Sequence, residues 1–167
     1  MFNIQREDPN DGVYSLLKQA FSREAEANLV KILHSNRIIC LSLIAFYNKQ
    51  VVGYIAFSPV TIGTVNYDIK AVGLAPLAVL PSYQRQGIGS KLVETGLDEL
   101  ISSGYDAVVV LGKPEFYDRF GFEQASLYGI HYSPDIPERY FMVKTLHPDV
   151  LLGKSGVVKY SPEFGQI

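Results

Sequence analysis

The segment from Leu77 to Leu92 changes character twice. Val72–Leu80 is apolar and reads as a strand, and Pro81 and Ser82 break it. From Gly87 to Ser103, apolar residues recur at helical spacing: Ile88, Leu92, Val93, Leu97, Leu100 and Ile101 form the inner face. Gly104 suits the C-terminal end of that helix. Ala107–Leu111 then runs apolar without a break, as strands buried on both faces do. A strand, a helix and a strand in this order pair their strands in parallel with a right-handed crossover. This unit commits the chain to a mixed α/β architecture.

The rest of the chain adds an antiparallel half. Val13, Leu16, Leu17, Ala20 and Phe21 place a helix over Asp11–Phe21. A second helix spans roughly Glu24–Leu33, with Ser22 as its expected N-cap. Ile38–Phe46 and Val51–Phe57 read as a hairpin about the turn Tyr47-Asn48-Lys49-Gln50. Gly53 marks a bulge or a close approach. Thr61–Asp68 either extends the meander or loops out. Pro76 cannot donate a ladder hydrogen bond, so the third strand is expected to bulge or splay there. Pro114 suits the first turn of a short helix ending near Arg119, and Tyr140–Leu146 is a further strand.

Composition excludes several classes. The 167 residues are 47 % hydrophobic and 19 % charged, enough apolar content for one packed domain and too much for disorder. Fifteen basic and seventeen acidic residues give a net charge of -2, without the basic excess of a nucleic-acid binder. The single cysteine, Cys40, rules out an internal disulfide and a cysteine zinc cluster. His34, His131 and His147 lack ligand spacing, so no metal is expected. No apolar run is long enough for a membrane helix, and the polar start carries no signal-peptide core. A cytoplasmic protein is expected.

The turn before the long helix has its own chemistry. Amides at a helix start lack intrahelical partners, and the helix dipole adds partial positive charge there. Gly87 and Gly89 let a phosphate approach the backbone, and Arg85 adds charge. The pattern lacks the third glycine of a dinucleotide fingerprint and the Lys-Ser/Thr of a P-loop. Taken alone, it serves equally as an ordinary glycine-rich helix start.

In its setting the pattern is more specific. Gln84-Arg85-Gln86-Gly87-Ile88-Gly89 resembles the Gln/Arg-x-x-Gly-x-Gly/Ala signature of the GNAT acetyltransferase superfamily. Phe116-Tyr117-Asp118-Arg119-Phe120-Gly121-Phe122 resembles that family's Phe-Tyr-x-x-x-Gly-Phe element. Val108-Val109-Val110-Leu111-Gly112 and the tail Gly156-Val157-Val158-Lys159-Tyr160 are similar to a YhbS-like branch of predicted acetyltransferases. The resemblance implies a GNAT fold, with a mixed central sheet, splayed middle strands and flanking helices. It implies a catalytic domain over residues 1–146, with 147–167 as an extension packed on it.

The resemblance also implies a site. Acetyl-CoA is the expected co-substrate. Backbone amides of Gln84, Arg85, Gln86, Gly87, Ile88 and Gly89 would wrap its pyrophosphate, with Ser90 beside them. Leu77, Ala78 and Val79 would pair their backbone with the pantetheine arm, and an N–H near Leu77 or Val79 would polarise the acetyl carbonyl. Tyr117 occupies the general-acid position. Its ordinary pKa of about 10 lies a little above a thiol's, roughly 8.5, so it can protonate the leaving sulfur. Read without that context, Tyr117 is a packing aromatic.

The strand before the loop has no ionisable side chain, which leaves the general base open among water, a backbone carbonyl, Asp68 or none. The implied acceptor is a small-molecule amine or a protein amino group, selected by Phe21–Leu33, Ser58–Asp68 and Tyr128–Tyr140. Tyr128–Asp135 is aromatic and turn-rich, and it reads either as a pocket wall or as a surface loop. Family members often dimerise through edge strands, so a homodimer is allowed. The competing reading is a non-catalytic CoA-binding regulatory module.

Overall fold

The computed structural model describes residues 1–63 and 68–166. Thr64–Tyr67, within the stretch expected to extend the meander or loop out, lie outside the described residues. The chain divides into two compact units, built from Met1–Ser58, Ala75–Asp98 and the chain from Ser161 on, and from Pro59–Leu74 and Glu99–Tyr160.

The first unit begins with β1 (Phe2–Arg6), α1 (Asp11–Phe21) and α2 (Ala25–Ser35). It continues through β2 (Leu41–Tyr47) and most of β3 (Gln50–Ile62), then takes the second half of β4 (Ala71–Val79) and most of α3 (Ile88–Ser102). Helix α1 starts where the Asn10 side chain accepts a 3.1 Å hydrogen bond from the Val13 amide, satisfying one orphan donor. Val13, Leu16 and Leu17 are its buried stripe.

Ser22 does not cap α2. It ends α1 in the left-handed conformation (φ 54°), and α2 begins after Glu24 with no side-chain cap. The sharp exit from α1 uses the residue that the sequence offered to the next helix.

Strand β1 pairs antiparallel with β2, from Phe2 opposite Tyr47 to Arg6 opposite Leu43. The β2–β3 hairpin closes through Asn48 and Lys49, with φ 48° and 68°, between the paired residues Tyr47 and Gln50. Two positive φ values match the type I′ turn, whose twist suits a two-residue hairpin. The register slips beside Gly53: Ala45 faces Gly53 but Phe46 faces Val51. A Cβ at Gly53 would also come within 3.0 Å of both Ile88 and Leu92. Gly96 answers from the helix side, where a Cβ would lie 2.6 Å from the Phe57 ring. The two glycines seat α3 directly on β3.

The second unit holds the end of β3, the start of β4 and the end of α3. To these it adds β5 (Ala107–Leu111), α4 (Pro114–Tyr117), β6 (Glu123–Gln124), β7 (Ile130–His131), β8 (Phe141–Thr145) and β9 (Gly156–Tyr160). Strands β4 and β5 pair in parallel from Ala71–Ala107 to Gly73–Val109, ahead of Pro76. Strand β8 lies antiparallel to β5, and β6 to β8. Strand β9 pairs antiparallel with the end of β3 and parallel with β7. Val60, Val109, Ile130, Phe141, Val143 and Val158 form the core of this unit.

Gly104 (φ +83°) ends α3 as expected. The Tyr105 amide donates to Leu100 O at 3.0 Å and the Gly104 amide to Ile101 O at 3.1 Å, which is the Schellman pattern. Two apolar assignments need correction. Ile101 in the last turn of α3 is 41 % exposed, and Leu111 at the end of β5 is 39 % exposed. The helical stripe and the strand's two-sided burial both run out one residue before their apolar pattern does.

Candidate active site

In the first unit, β4 ends at Val79, and the Leu80 amide donates to Val52 O at 2.9 Å, tying this end to β3. Along β4, buried Leu74, Pro76 and Ala78 alternate with half-buried Ala75, Leu77 and Val79. A 3-10 turn over Pro81–Tyr83 follows. Gln84 Nε2 then donates back to Val79 O at 3.1 Å, so the Gln84 side chain fastens the loop to the strand it leaves.

Arg85 (φ +61°) and Gly87 (φ +85°) both take the left-handed conformation, and the chain turns through them into α3. An arginine in that conformation costs on the order of 1–2 kcal/mol, and a glycine essentially nothing. The Lys91 amide donates to Gly87 O at 3.0 Å, the first bond of the helix ladder. The amides of Ile88, Gly89 and Ser90 precede it and belong to the helix start, where positive potential collects. A Cβ built on Gly87 meets nothing within 4 Å, so an incoming group can reach this backbone. Gln84, Arg85, Gln86 and Gly87 are exposed, Gly89 and Ser90 half-buried, and Ile88 is buried against β3. The structure therefore gathers Leu77–Val79 and Gln84–Ser90 at one strand end and one helix start.

Tyr117 belongs to the second unit. Pro114 opens α4 at its first position, and the Tyr117 amide donates to Lys113 O at 3.2 Å. The Tyr117 ring packs against Gly112, where a Cβ would come within 2.8 Å of its Cδ2. Phe116 and Phe122 meet it edge-on, with centroids at 4.9 and 5.6 Å. Tyr117 is only 8 % exposed. That burial pushes its phenol up to about 12, so the proton stays on at neutral and mildly alkaline pH, while the phenol is a weaker acid than its ordinary value of about 10 implies.

Two residues of this region had no role in the sequence reading. Gly112 appeared only at the end of the Val108–Gly112 motif, yet it is the seat of the Tyr117 ring. Tyr160 appeared only within a tail motif, yet its ring packs on Gly73 of β4, where a Cβ would lie 2.5 Å from Cε2. Gly73 and Tyr160 lie too far apart in the chain for local pattern to join them, whereas Gly112 stands only five residues before Tyr117 and the signal there is the short turn itself. Among the described residues, no group of three or more His, Cys, Asp or Glu gathers as metal ligands, and no helix is long and apolar enough to cross a membrane.

Residues 3–125 match the family model described as the acetyltransferase (GNAT) domain. Together with the mixed sheet, its flanking helices and the glycine loop ahead of α3, this shows that the chain belongs to the GNAT family of N-acetyltransferases and has its fold. Within that family, it is 42 % identical over 166 residues to a protein of Escherichia coli (strain K12) named "Uncharacterized N-acetyltransferase YhbS", covering 98 % of both chains. The crystal structure of E. coli YhbS in complex with CoA superposes with a TM-score of 0.93 at 41 % identity, covering 99 % of this chain and 93 % of that one. A GNAT family acetyltransferase from Brucella melitensis, solved in complex with acetyl-CoA, gives a TM-score of 0.79 at 33 % identity over 98 % of each chain. The YhbS-like branch expected from the sequence is thereby supported.

Proposed function

We propose that this acetyltransferase binds acetyl-CoA along Leu77–Val79 and Gln84–Ser90 and passes the acetyl group directly to a primary amine of a small molecule or a protein. The observation that carries the reading is the loop at the start of α3. Gly87 sits at φ +85° with open space around it, and helix-start amides lie beside it. A diphosphate fits such a place because its charge meets oriented N–H groups at no reorganisation cost. The two relatives crystallised with CoA and acetyl-CoA support the same assignment. The donor is a metabolite of the cell interior, which supports action in the cytoplasm. The match to YhbS across 98 % of both chains supports reading residues 147–167 as a C-terminal extension that accompanies the domain formed by 1–146.

The chemistry is displacement at a thioester: an N–C bond forms, the C–S bond breaks, and the sulfur leaves as a thiolate. Backbone amides of Gln84–Gly89 and Ser90 hold the diphosphate, with Arg85 adding positive charge. The backbone of Leu77–Val79 aligns the arm, and an N–H near Leu77 or Val79 stabilises charge on the carbonyl oxygen. Tyr117 gives its phenolic proton to the departing sulfur and regains one from solvent. The amine reacts as its neutral form; because Val72–Val79 offers no ionisable side chain, its surplus proton leaves to water, a backbone carbonyl or Asp68.

The test follows thiol release from acetyl-CoA with pools of amines, beside direct measurement of acetyl-CoA binding. The expected result is turnover that Gly87→Glu abolishes and Tyr117→Phe slows strongly. Binding without turnover on any amine would favour a regulatory CoA-binding module, and no binding at all would remove the proposal.

A further inference from the structure

The second unit encloses a cavity of about 400 Å³, within the roughly 300–1,000 Å³ usual for small-molecule sites. Ile130, Tyr132, Phe141 and Val157 supply apolar walls, and His131 and Glu138, whose side chains are exposed to solvent, also line it. Tyr132 and Phe141 stack with centroids 5.6 Å apart at 27°. On its other side Tyr132 meets Tyr160 edge-on at 5.3 Å, and Tyr160 is the ring that packs on Gly73 of β4. A second route joins the cavity to the Tyr117 region. Gly112, beneath the Tyr117 ring, donates to Tyr140 O at 2.9 Å, and the next residue, Phe141, lines the cavity. The cavity wall is thus continuous, within one unit, with the start of β4 and with the seat of Tyr117.

The lining also carries a definite charge. Glu138 is the acid among the described lining residues, and no lysine or arginine is among them. His131 Nδ1 lies 3.9 Å from Glu138 Oε1. A wall built of rings stacked on one another offers an apolar surface on which a flat apolar body packs. An anion at its mouth attracts an ammonium and repels a carboxylate.

We propose that this cavity is the acceptor pocket and that it selects arylalkyl primary amines lacking a carboxylate, Glu138 supplying the charge selection and the Tyr132–Phe141 wall the shape selection. This rests on the reading above that the chain acetylates a primary amine.

The test uses 2-phenylethylamine and its carboxylated counterpart phenylalanine as acceptors, with Val157→Trp and Glu138→Gln as variants. Val157 is 50 % exposed, so the larger ring can be added from the surface side of the wall. The expected result is a kcat/KM for 2-phenylethylamine at least about tenfold above that for phenylalanine. Val157→Trp should raise the amine KM by about tenfold or more, and Glu138→Gln should raise it by about fivefold while narrowing the preference over phenylalanine. Thermal melting checks that both variants fold, and acetyl-CoA affinity reports separately on the loop before α3. If acetyl-CoA binds and other amines turn over while 2-phenylethylamine does not, the pocket assignment is wrong. It is equally wrong if both variants leave the 2-phenylethylamine KM within about twofold. Loss of acetyl-CoA binding in the unaltered protein would instead overturn the acetyltransfer reading itself.

Discussion

Tyr117 keeps its proton because of where it sits, not because of a charged neighbour. Burial is the cause of its rise to about 12. Two consequences follow at this scale. In catalysis, the phenol stays protonated across the working range, so kcat should show no alkaline fall from this group below about pH 11. Tyr117→Phe should lower kcat by about a hundredfold with acetyl-CoA affinity retained, measured by thiol release and titration. In stability, a phenol whose folded pKa is raised favours the folded state fully below its unfolded value. That contribution is lost as pH rises from about 10 through about 12. Tyr54 and Tyr160 are raised in the same direction, chiefly by burial, so the melting temperature should fall steeply above about pH 10. Gly112→Ala tests the seat of the ring. Its Cβ would lie within 2.8 Å of Tyr117 Cδ2, so the ring must move. A loss of roughly 1–3 kcal/mol in denaturant unfolding is expected, together with reduced kcat.

Among elements, the turn into α3 separates backbone strain from ligand binding. Arg85 and Gly87 share the left-handed conformation, but only glycine adopts it without cost. Arg85→Gly relieves about 1–2 kcal/mol of strain and returns part of it as unfolded-state entropy. The melting temperature should therefore stay level or rise, while acetyl-CoA affinity drops about tenfold with the lost charge. The sequence showed this element clearly because strand end, polar turn, paired glycines and helical stripe all agree locally. Helix α1 was legible from its apolar stripe alone, and the Asn10 cap came to light only in the structure. Strand β1 was not read. Its inward residues, Phe2 and Ile4, are only half-buried and separated by polar ones, so five residues at the start of the chain gave little periodicity. Strands β6 and β7 are two residues each and exist by long-range pairing, which local pattern does not encode. Gly53 was legible as special but not why: its partners Ile88 and Leu92 come from a helix far along the chain.

At the level of the whole molecule, the C-terminal stretch does more than its polar look suggests. Strand β9 pairs with β3 and β7, buries Val158 and sets the Tyr160 ring on Gly73. Beyond it, Glu163 Oε2 accepts a 2.7 Å hydrogen bond from Asn36 Nδ2. Deleting residues 156–167 should cost at least about 3 kcal/mol, on the order of 10 °C in melting temperature. The sequence marked this tail as a resemblance but gave no reason for it, because the reason is a ring filling the space above a glycine in a distant strand.

The division of the chain carries a consequence of its own. The polypeptide passes from one compact unit to the other within β3, within β4, within α3 and again after β9. Each unit is therefore assembled from separated stretches, and no single cut in the gene would release either one whole. Such a protein offers recombination no seam. Its acceptor preference can drift residue by residue along a wall or a loop, but neither half can be exchanged as a cassette.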